Sequence, residues 1–208
     1  MLFALLRPVR YCGPMKSHVL GIDEAGRGPL AGPIALGLVV ASRGFDVGAE
    51  FPGIKDSKLL TERSREKFFA QLEARAQRGD LRFSVQFSAA STIDDLGMTG
   101  AIVTAIERGI EELSLDPEWC EVLLDGALKA PPEFAQKTII HGDATVPIIS
   151  LASVAAKVSR DRVMVDLAKQ YPEYGFDLHK GYGTPAHYVA LEKHGPSTVH
   201  RHSYLHLT

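Results

Sequence analysis

Four acidic residues stand at or just after the ends of apolar, strand-like segments. Asp23 and Glu24 follow residues 19–22, while Asp125 and Asp143 each adjoin a glycine after a short apolar run. In open α/β sheets, side chains at strand ends converge on one rim, and carboxylates gathered there repel each other unless hard cations neutralise them. Two magnesium ions about 3.5–4 Å apart would activate a water and stabilise the leaving oxygen of an in-line displacement. The four acids therefore predict a metal-dependent site that acts on a phosphate group.

A simpler explanation is available for each acid alone, because Asp beside Gly is common turn chemistry. It explains the whole set much less well. Asp23 and Glu24 also raise a geometric problem, since adjacent residues of a regular strand point to opposite faces. Either the strand breaks near Glu24, or Glu24 contributes in another way, for example through its carbonyl.

A glycine-rich turn follows the first acidic pair directly: Gly26-Arg27-Gly28-Pro29-Leu30-Ala31-Gly32. A dinucleotide-binding loop is a weak interpretation, because the third glycine is one place late and Pro29 has no N–H to offer a phosphate. No Walker-type Gly-Lys-Ser/Thr occurs there either. Because glycines carry no side chain, the backbone of this turn can also approach the edge of a sugar closely. There an N–H or C=O group can form a hydrogen bond with a 2′-hydroxyl and so distinguish RNA from DNA.

Composition fits one globular domain. The chain has 208 residues, 45% of them hydrophobic and 23% charged, and its formal net charge is −2. These values exclude disordered, collagen-like and disulfide-scaffold classes, and the two cysteines support no disulfide framework or Cys-based zinc site. Residues 83–151 carry three basic and eleven acidic side chains, so composition alone does not indicate a nucleic-acid binder. We expect a cytoplasmic protein, because the apolar start is too short for a signal peptide or membrane span.

The periodicity of apolar residues predicts alternating strands and helices, hence an α/β fold with a mixed sheet flanked by helices. Met98 to Leu113 has the three-to-four spacing of an amphipathic helix, and Leu81 to Phe87 alternates like a half-buried strand. Residues 175–183 are expected to form a loop. The other predicted strands are 19–22, 34–41, 122–124 and 138–140, and the other predicted helices are 61–78, 148–170 and 184–194.

The motifs taken together resemble those of type 2 ribonuclease H (ribonuclease HII), from about His18 onward. They are Gly21-Ile22-Asp23-Glu24-Ala25-Gly26-Arg27-Gly28-Pro29-Leu30-Ala31-Gly32-Pro33, Asp56-Ser57-Lys58, Asp125-Gly126, Gly142-Asp143, Ile149-Ser150-Leu151-Ala152-Ser153-Val154-Ala155-Ala156-Lys157-Val158-Ser159-Arg160-Asp161 and His179-Lys180-Gly181-Tyr182-Gly183-Thr184. This order of motifs is highly specific. One departure is Arg201-His202-Ser203-Tyr204, in which Tyr204 stands where the family often has phenylalanine, at a position that we expect to be structural.

The resemblance implies a ribonuclease H-like fold with a small C-terminal helical extension, and metal-dependent endonucleolytic cleavage of RNA in RNA/DNA hybrids. It also implies cleavage 5′ to a single ribonucleotide embedded in duplex DNA, giving 3′-hydroxyl and 5′-phosphate ends. The implied catalytic residues and ligands of two Mg²⁺ or Mn²⁺ ions are Asp23, Glu24, Asp125 and Asp143. We expect residues 1–17 to be an extension and residues 18–208 to be one catalytic domain, with its helical part from about residue 171.

The resemblance further implies that the backbone of Gly26, Arg27 and Gly28 contacts the ribose 2′-OH, and that Tyr182 hydrogen-bonds this hydroxyl and stacks on the following deoxyribose. Lys58, Lys157 and Arg160 are candidates for phosphate contacts. Ser150, Ser153, Lys157 and Arg160 fall at helical spacing, which predicts one shared functional face; a merely solvated face is the alternative.

Two rival functions stay open at this point. One is a non-catalytic binder of hybrid duplexes whose carboxylates are only structural. The other is a hybrid-cleaving ribonuclease without activity at isolated ribonucleotides, against which Gly26, Arg27, Gly28 and Tyr182 argue. The expected partners are RNA/DNA hybrid and ribonucleotide-containing duplex DNA, with no membrane; a monomer is expected, and no protein partner is identified. His200, His202 and His206 lack standard zinc spacing, so we expect packing or surface roles for them.

Overall fold

A five-stranded mixed sheet forms the centre of the protein. The computed structural model describes residues 16–54 and 60–205, and Lys58 and most of the predicted extension 1–17 lie outside these residues. The strands are β1 (His18–Ala25), β2 (Ile34–Ser42), β3 (Leu81–Ser88), β4 (Cys120–Asp125) and β5 (Ala135–Ile139). Their order in the sheet is β3-β2-β1-β4-β5, with β1–β2 and β2–β3 antiparallel and β1–β4 and β4–β5 parallel.

Helices cover both faces of this sheet and continue into the C-terminal part. They are α1 (Val47–Glu50), α2 (Glu62–Gln77), α3 (Ala90–Glu112), α4 (Gly142–Thr145), α5 (Pro147–Gln170), α6 (Phe176–His179) and α7 (Pro185–His194), with 3₁₀ turns at Pro172–Tyr174 and His202–Tyr204. The predicted α/β fold with a mixed sheet and a C-terminal helical extension is thus confirmed. Within the described part of the chain, no helix has both the length and the apolar character needed to cross a membrane.

Two apolar layers lie on opposite faces of the sheet, because neighbouring residues of the central strands alternate between faces. Leu36 and Leu38 of β2 pack with Ile106 of α3 on one face. Val39 packs with Ile149 of α5 on the other. Strand β2 is buried along almost its whole length, as its uninterrupted apolar sequence predicts.

Helix α5 lies unusually close to the sheet. A Cβ atom added at Gly37 would lie 2.0 Å from the carbonyl oxygen of Ala152, and one at Gly21 would lie 2.6 Å from that of Ile148. No side chain can occupy this gap, so glycine at these two positions lets the helix backbone rest on β1 and β2. The contact brings the polar side chains of α5 over the end of β1.

The C-terminal part packs against the turn that follows β1. Leu30 and Ala31 of this turn join Met164, Phe176 and Leu191 in a separate apolar cluster. Ala31 forms an isolated antiparallel bridge with His200. The chain thus returns, near its end, to a segment close to its beginning.

Most of the predicted elements are confirmed, and several differ in detail. Strand β1 continues to Ala25 rather than ending at residue 22, and β5 spans Ala135–Ile139 rather than 138–140. Helix α3 begins at Ala90 rather than 98 and has a non-helical residue at Gly97. The predicted loop at 175–183 contains the single-turn helix α6. In β3 the polar residues Ser84 and Ser88 are more buried than their aromatic neighbours. The reason is that their hydroxyls donate to groups of α3, the Glu112 carboxylate at 2.7 Å and the Ala101 carbonyl at 2.8 Å.

Candidate active site

Two of the four predicted acids lie side by side at one edge of the sheet. Strands β1 and β4 run parallel with Ile22 beside Leu124, so the next residue in each strand is an aspartate, Asp23 and Asp125. Parallel strands bring their carboxyl ends to the same edge. The sheet register therefore juxtaposes two acids that are 102 positions apart in the chain.

Asp143 reaches the same edge through a hydrogen-bonded turn after β5. The Asp125 carboxylate accepts hydrogen bonds from the backbone N–H of Gly142 at 2.6 Å and of Asp143 at 3.3 Å. The Ser150 hydroxyl of α5 donates to the Asp143 carbonyl at 2.6 Å. Asp143 is buried, and its backbone is fixed from β4 on one side and α5 on the other.

Asp23 is buried beside a lysine. Burial raises the pKa of this carboxyl to about 7, although Lys157 and a hydrogen bond from Ser153 both lower it. The Lys157 ammonium lies 4.0 Å from the Asp23 carboxylate. The available positive charge therefore does not fully offset the cost of burying this carboxylate.

Strand β1 does not break at Glu24. Its ladder with β2 continues through Glu24↔Leu36 to Ala25↔Ala35, so the first of the two alternatives for reconciling Asp23 with Glu24 is wrong. The Glu24 carboxylate instead accepts a 3.0 Å hydrogen bond from Arg27 Nε of the glycine turn. Glu24 lines the cleft that this turn borders.

A cleft of about 520 Å³ collects most of the remaining predicted residues. It lies between the glycine turn, α5 and the segment after α6. The predicted residues that line it are Glu24, Gly26, Arg27, Gly28, Lys157, Arg160 and Tyr182. Arg65 and Lys180, which sequence reasoning did not select, add two further cations to its wall.

The glycine turn exposes bare backbone opposite an aromatic ring. A Cβ on Gly28 would lie 3.9 Å from Cε1 of Tyr182, and the Tyr182 side chain is 49% exposed. Gly26 has φ +94°, and a Cβ there would lie 2.0 Å from Arg160 Nε. The turn is thus packed tightly on its inner side and open toward the Tyr182 phenol on its outer side.

Arg160 supports this turn from within. It is only 2% exposed, and its guanidinium donates to the carbonyls of Pro33 at 2.9 Å and Ala31 at 3.3 Å. Its guanidinium carbon also lies 6.0 Å from the centre of the Tyr182 ring. These contacts give Arg160 a structural role that spacing alone did not predict, and the phosphate contact stays a prediction.

Arg201 is a further residue that the sequence did not single out. It is fully buried and donates to three carbonyls of the glycine turn: Gly26 at 2.6 Å, Arg27 at 3.0 Å and Gly32 at 3.0 Å. The signal in the sequence is its place in the Arg201-His202-Ser203-Tyr204 motif.

The polar stripe of α5 faces the site. Ser150 holds the Asp143 backbone, Ser153 and Lys157 act on Asp23, and Arg160 lies beneath Gly26. The four side chains lie on one mostly buried face, so the alternative of a solvated face is wrong, and the functional role of this face stays a prediction.

The acids form an all-oxygen donor set of the kind that Mg²⁺ and Mn²⁺ prefer. Within residues 16–54 and 60–205, no three His, Cys, Asp or Glu side chains already surround a point that could hold a metal ion. The carboxylate oxygens of Asp23, Glu24 and Asp125 instead accept hydrogen bonds from nearby N–H groups. Burial raises the pKa of Asp23 in spite of Lys157, so the ionised carboxylate lacks full compensation, which a cation would supply. The donor chemistry thus fits a divalent ion.

Comparison with known proteins decides the family. The family model for ribonuclease HII matches residues 20–207. The ribonuclease HII of Burkholderia pseudomallei (strain 1710b) is 43% identical over 186 residues, covering 89% of this chain and 82% of that protein. The chain belongs to the ribonuclease HII family. As a ribonuclease HII it is a ribonuclease H, an endonuclease that hydrolyses RNA in RNA/DNA hybrids.

Solved structures agree with this assignment. The crystal structure of ribonuclease H2 from Pyrococcus horikoshii OT3 has a TM-score of 0.71 and 28% identity, covering 89% of this chain and 93% of that one. A structure of Bst-RNase HIII in complex with Mn²⁺ has a TM-score of 0.66 at 18% identity, covering 91% of this chain and 67% of that one. The second comparison shows a shared fold. The ribonuclease HII match also spans every candidate residue named above.

Proposed function

We propose that this ribonuclease HII cuts 5′ to single ribonucleotides embedded in duplex DNA, leaving 3′-hydroxyl and 5′-phosphate ends, in addition to cutting longer RNA/DNA hybrids. The observation that carries the proposal is the placement of Gly28 against Tyr182 in the cleft that Glu24 and Lys157 also line. This arrangement can recognise a sugar, because bare backbone and a phenol both exchange hydrogen bonds with a hydroxyl. A site that reads one sugar needs only one ribonucleotide.

The carboxylates of Asp23, Glu24, Asp125 and Asp143 would hold the divalent ions, Mg²⁺ or Mn²⁺. Two such ions, when bound, supply an activated water and stabilisation of the leaving oxygen. The Mn²⁺ of the Bst-RNase HIII structure belongs to that protein; for this chain the proposal depends on its own oxygen donors and on the charge buried at Asp23.

The residues around the acids orient them. The N–H groups of Gly142 and Asp143 hold the Asp125 carboxylate, and Arg27 holds that of Glu24. Lys157 keeps positive charge beside Asp23 and favours its ionised form. The chain thereby prearranges the carboxylates, which reduces the reorganisation needed when a cation and a phosphate enter.

Recognition of the ribose would fall to the turn and the loop opposite. In this proposal the backbone of Gly26, Arg27 and Gly28 meets the 2′-hydroxyl, and the Tyr182 phenol hydrogen-bonds the same group and stacks on the next deoxyribose. Lys157, Arg160 and Lys58 would contact phosphates. Arg160 can do so only if its guanidinium keeps donor capacity beyond the Pro33 and Ala31 carbonyls, which five N–H groups allow.

The test is a cleavage assay on a duplex that contains one ribonucleotide, with and without Mg²⁺, in which the cut position and end groups are mapped. An all-DNA duplex and a continuous hybrid are the controls. A metal-dependent nick on the 5′ side of the ribonucleotide supports the proposal. Binding without a nick would favour a non-catalytic hybrid binder, and cleavage of the continuous hybrid alone would favour a ribonuclease that cannot use isolated ribonucleotides.

A further inference from the structure

Two buried histidines join the C-terminal segment to the loop that carries Tyr182. His187 lies in the first turn of α7, and His200 lies in the returning segment that bridges to Ala31. Both side chains are buried, and their Nε2 atoms are 3.0 Å apart. His187 Nδ1 lies 2.9 Å from the Tyr182 carbonyl oxygen. A continuous path of polar contacts therefore ends on the backbone of Tyr182.

The hydrogen bonds fix the tautomer of each ring. The backbone N–H of Ser197 points at His200 Nδ1, at 2.9 Å, so this nitrogen must be the acceptor and the proton of neutral His200 must be on Nε2. His200 Nε2–H then donates to His187 Nε2. The remaining proton of neutral His187 is on Nδ1, where it donates to the Tyr182 carbonyl. One assignment satisfies all three contacts.

Both rings must be neutral for this chain of hydrogen bonds to exist. A proton added to His200 Nδ1 would face the Ser197 N–H, and a proton added to His187 Nε2 would face the His200 N–H. The other titratable groups around the pair are the ring of His179, stacked 4.5 Å from His187, the ring of Tyr174, 4.8 Å from His200, and His202. His179 Nδ1 accepts a hydrogen bond from the Gly181 N–H at 3.2 Å.

We propose that His187 and His200 are positioning residues. The series of hydrogen bonds that runs from the Ser197 N–H through both rings to the Tyr182 carbonyl holds the Tyr182 phenol over Gly28. This inference rests on the proposed role of Tyr182 in reading the ribose. The Tyr182 side chain is half exposed, so the position of its ring depends on how its backbone is held. The carbonyl also accepts from the N–H of Thr184, the N-cap residue of α7, at 2.8 Å; the His187 bond is the contact that ties it, through His200, to the returning segment.

The first experiment reads the tautomers directly, without activity. Imidazole ¹H–¹⁵N correlation spectra of the full-length protein at neutral pH should show His187 as the Nδ1–H tautomer and His200 as the Nε2–H tautomer. In His200→Gln, whose side-chain amide can still donate toward His187 Nε2, His187 should keep its tautomer. A protonated ring at neutral pH, or the opposite tautomer for either histidine, would overturn the proposal.

The second experiment compares two substitutions at one position. His187→Asn keeps an N–H near the place of Nδ1, whereas His187→Leu removes it. On the single-ribonucleotide duplex, His187→Leu should lower kcat about tenfold or more with KM little changed, because misplacing a group by about 1 Å can cost about a hundredfold in rate. His187→Asn should keep most of kcat. Leu191→Ala, also in α7, controls for lost packing: it should lower the melting temperature without lowering kcat. Equal loss in the Asn and Leu variants, or in the Leu191 control, contradicts the proposal.

Tyr182→Ala separates failure of this inference from failure of the proposed function. Full cleavage by Tyr182→Ala would overturn the role of Tyr182, and the inference with it. Cleavage lost in Tyr182→Ala but retained in His187→Leu would overturn the inference alone. The double variant combines His187→Leu with Tyr182→Ala. If the histidines act through Tyr182, it should cleave no more slowly than Tyr182→Ala alone. A loss of rate equal to the product of the two single losses would show that the histidines act elsewhere. If His187→Leu does not fold, the spectra and the Asn variant still decide.

Discussion

Arg201 Nη2 donates a 2.6 Å hydrogen bond to the carbonyl of Gly26, a residue 175 positions earlier in the chain. The same guanidinium binds the carbonyls of Arg27 and Gly32. Burial lowers the pKa of Arg201 to about 10, so it stays charged at neutral pH. Through this one contact set, the end of the chain fixes the shape of the turn that borders the cleft.

Arg201→Lys should destabilise the protein although it keeps the charge. A lysine ammonium cannot reproduce the planar fork that reaches three carbonyls, and buried carbonyls left without a donor cost about 1–3 kcal/mol each. We expect the free energy of unfolding, measured in urea, to fall by about 2–4 kcal/mol. Arg108→Lys is the control, because Arg108 binds the Phe87 carbonyl from an exposed position. Equal loss in the two variants would refute the account.

Gly28→Ala should fold normally and yet cleave poorly at a single ribonucleotide. The new methyl group has room, 3.9 Å from the Tyr182 ring, but it fills the space in which a ribose would approach the backbone. We expect stability within about 0.5 kcal/mol of the parent and a clear rise in KM for the single-ribonucleotide duplex. Gly26→Ala should instead fail in folding, because its methyl group would collide with Arg160 at φ +94°. Thermal melting and cleavage kinetics of both variants test this contrast, and unchanged KM in Gly28→Ala would count against ribose recognition at the turn.

Asp23→Asn should abolish cleavage while stabilising the metal-free protein at pH 8. The folded-state pKa of Asp23 is raised from 3.8 to about 7, so the folded protein binds the proton more tightly than the unfolded chain, and parental stability falls as pH rises through this window. Asparagine has no such charge to bury. We expect a gain of about 1–2 kcal/mol at pH 8, shrinking toward pH 4, measured by denaturation in EDTA. A loss of stability in EDTA at pH 8 would show that the carboxylate holds structure instead.

Acid should destabilise the protein through the histidine pair. Burial lowers the pKa of His200 from 6.5 to about 4, and burial also lowers the pKa of His187. The unfolded chain therefore binds protons that the folded one does not, and stability is lost as pH falls from about 6.5 toward 4. His200→Gln should flatten this part of the stability curve, which chemical denaturation at several pH values can measure. An unchanged slope would mean that other groups titrate in this range.

Sequence reasoning succeeded where one local pattern determines the outcome. Alternation and helical spacing located the strands and helices, and the spacing of Ser150, Ser153, Lys157 and Arg160 predicted the shared face. These features depend on residues a few positions apart, for which backbone geometry is known in advance.

Features that depend on tertiary contacts were not predictable in the same way. The spacing of residues on α5 does not reveal that Arg160 packs against Gly26 and is buried. Nothing local to Arg201 indicates that it binds a turn near the other end of the chain. In β3, the serines are buried because α3 offers them acceptors, which alternation alone cannot reveal.

Because Gly21 and Gly37 have no side chains, α5 can lie close enough to the sheet to keep the active-site groups in position. A single methyl group at either position would push α5 away from the sheet. Ser153 and Lys157 would move together, because both belong to this helix. Catalysis in this enzyme thus depends on two positions that carry no functional group at all, and a search for damaging substitutions confined to polar residues would overlook them.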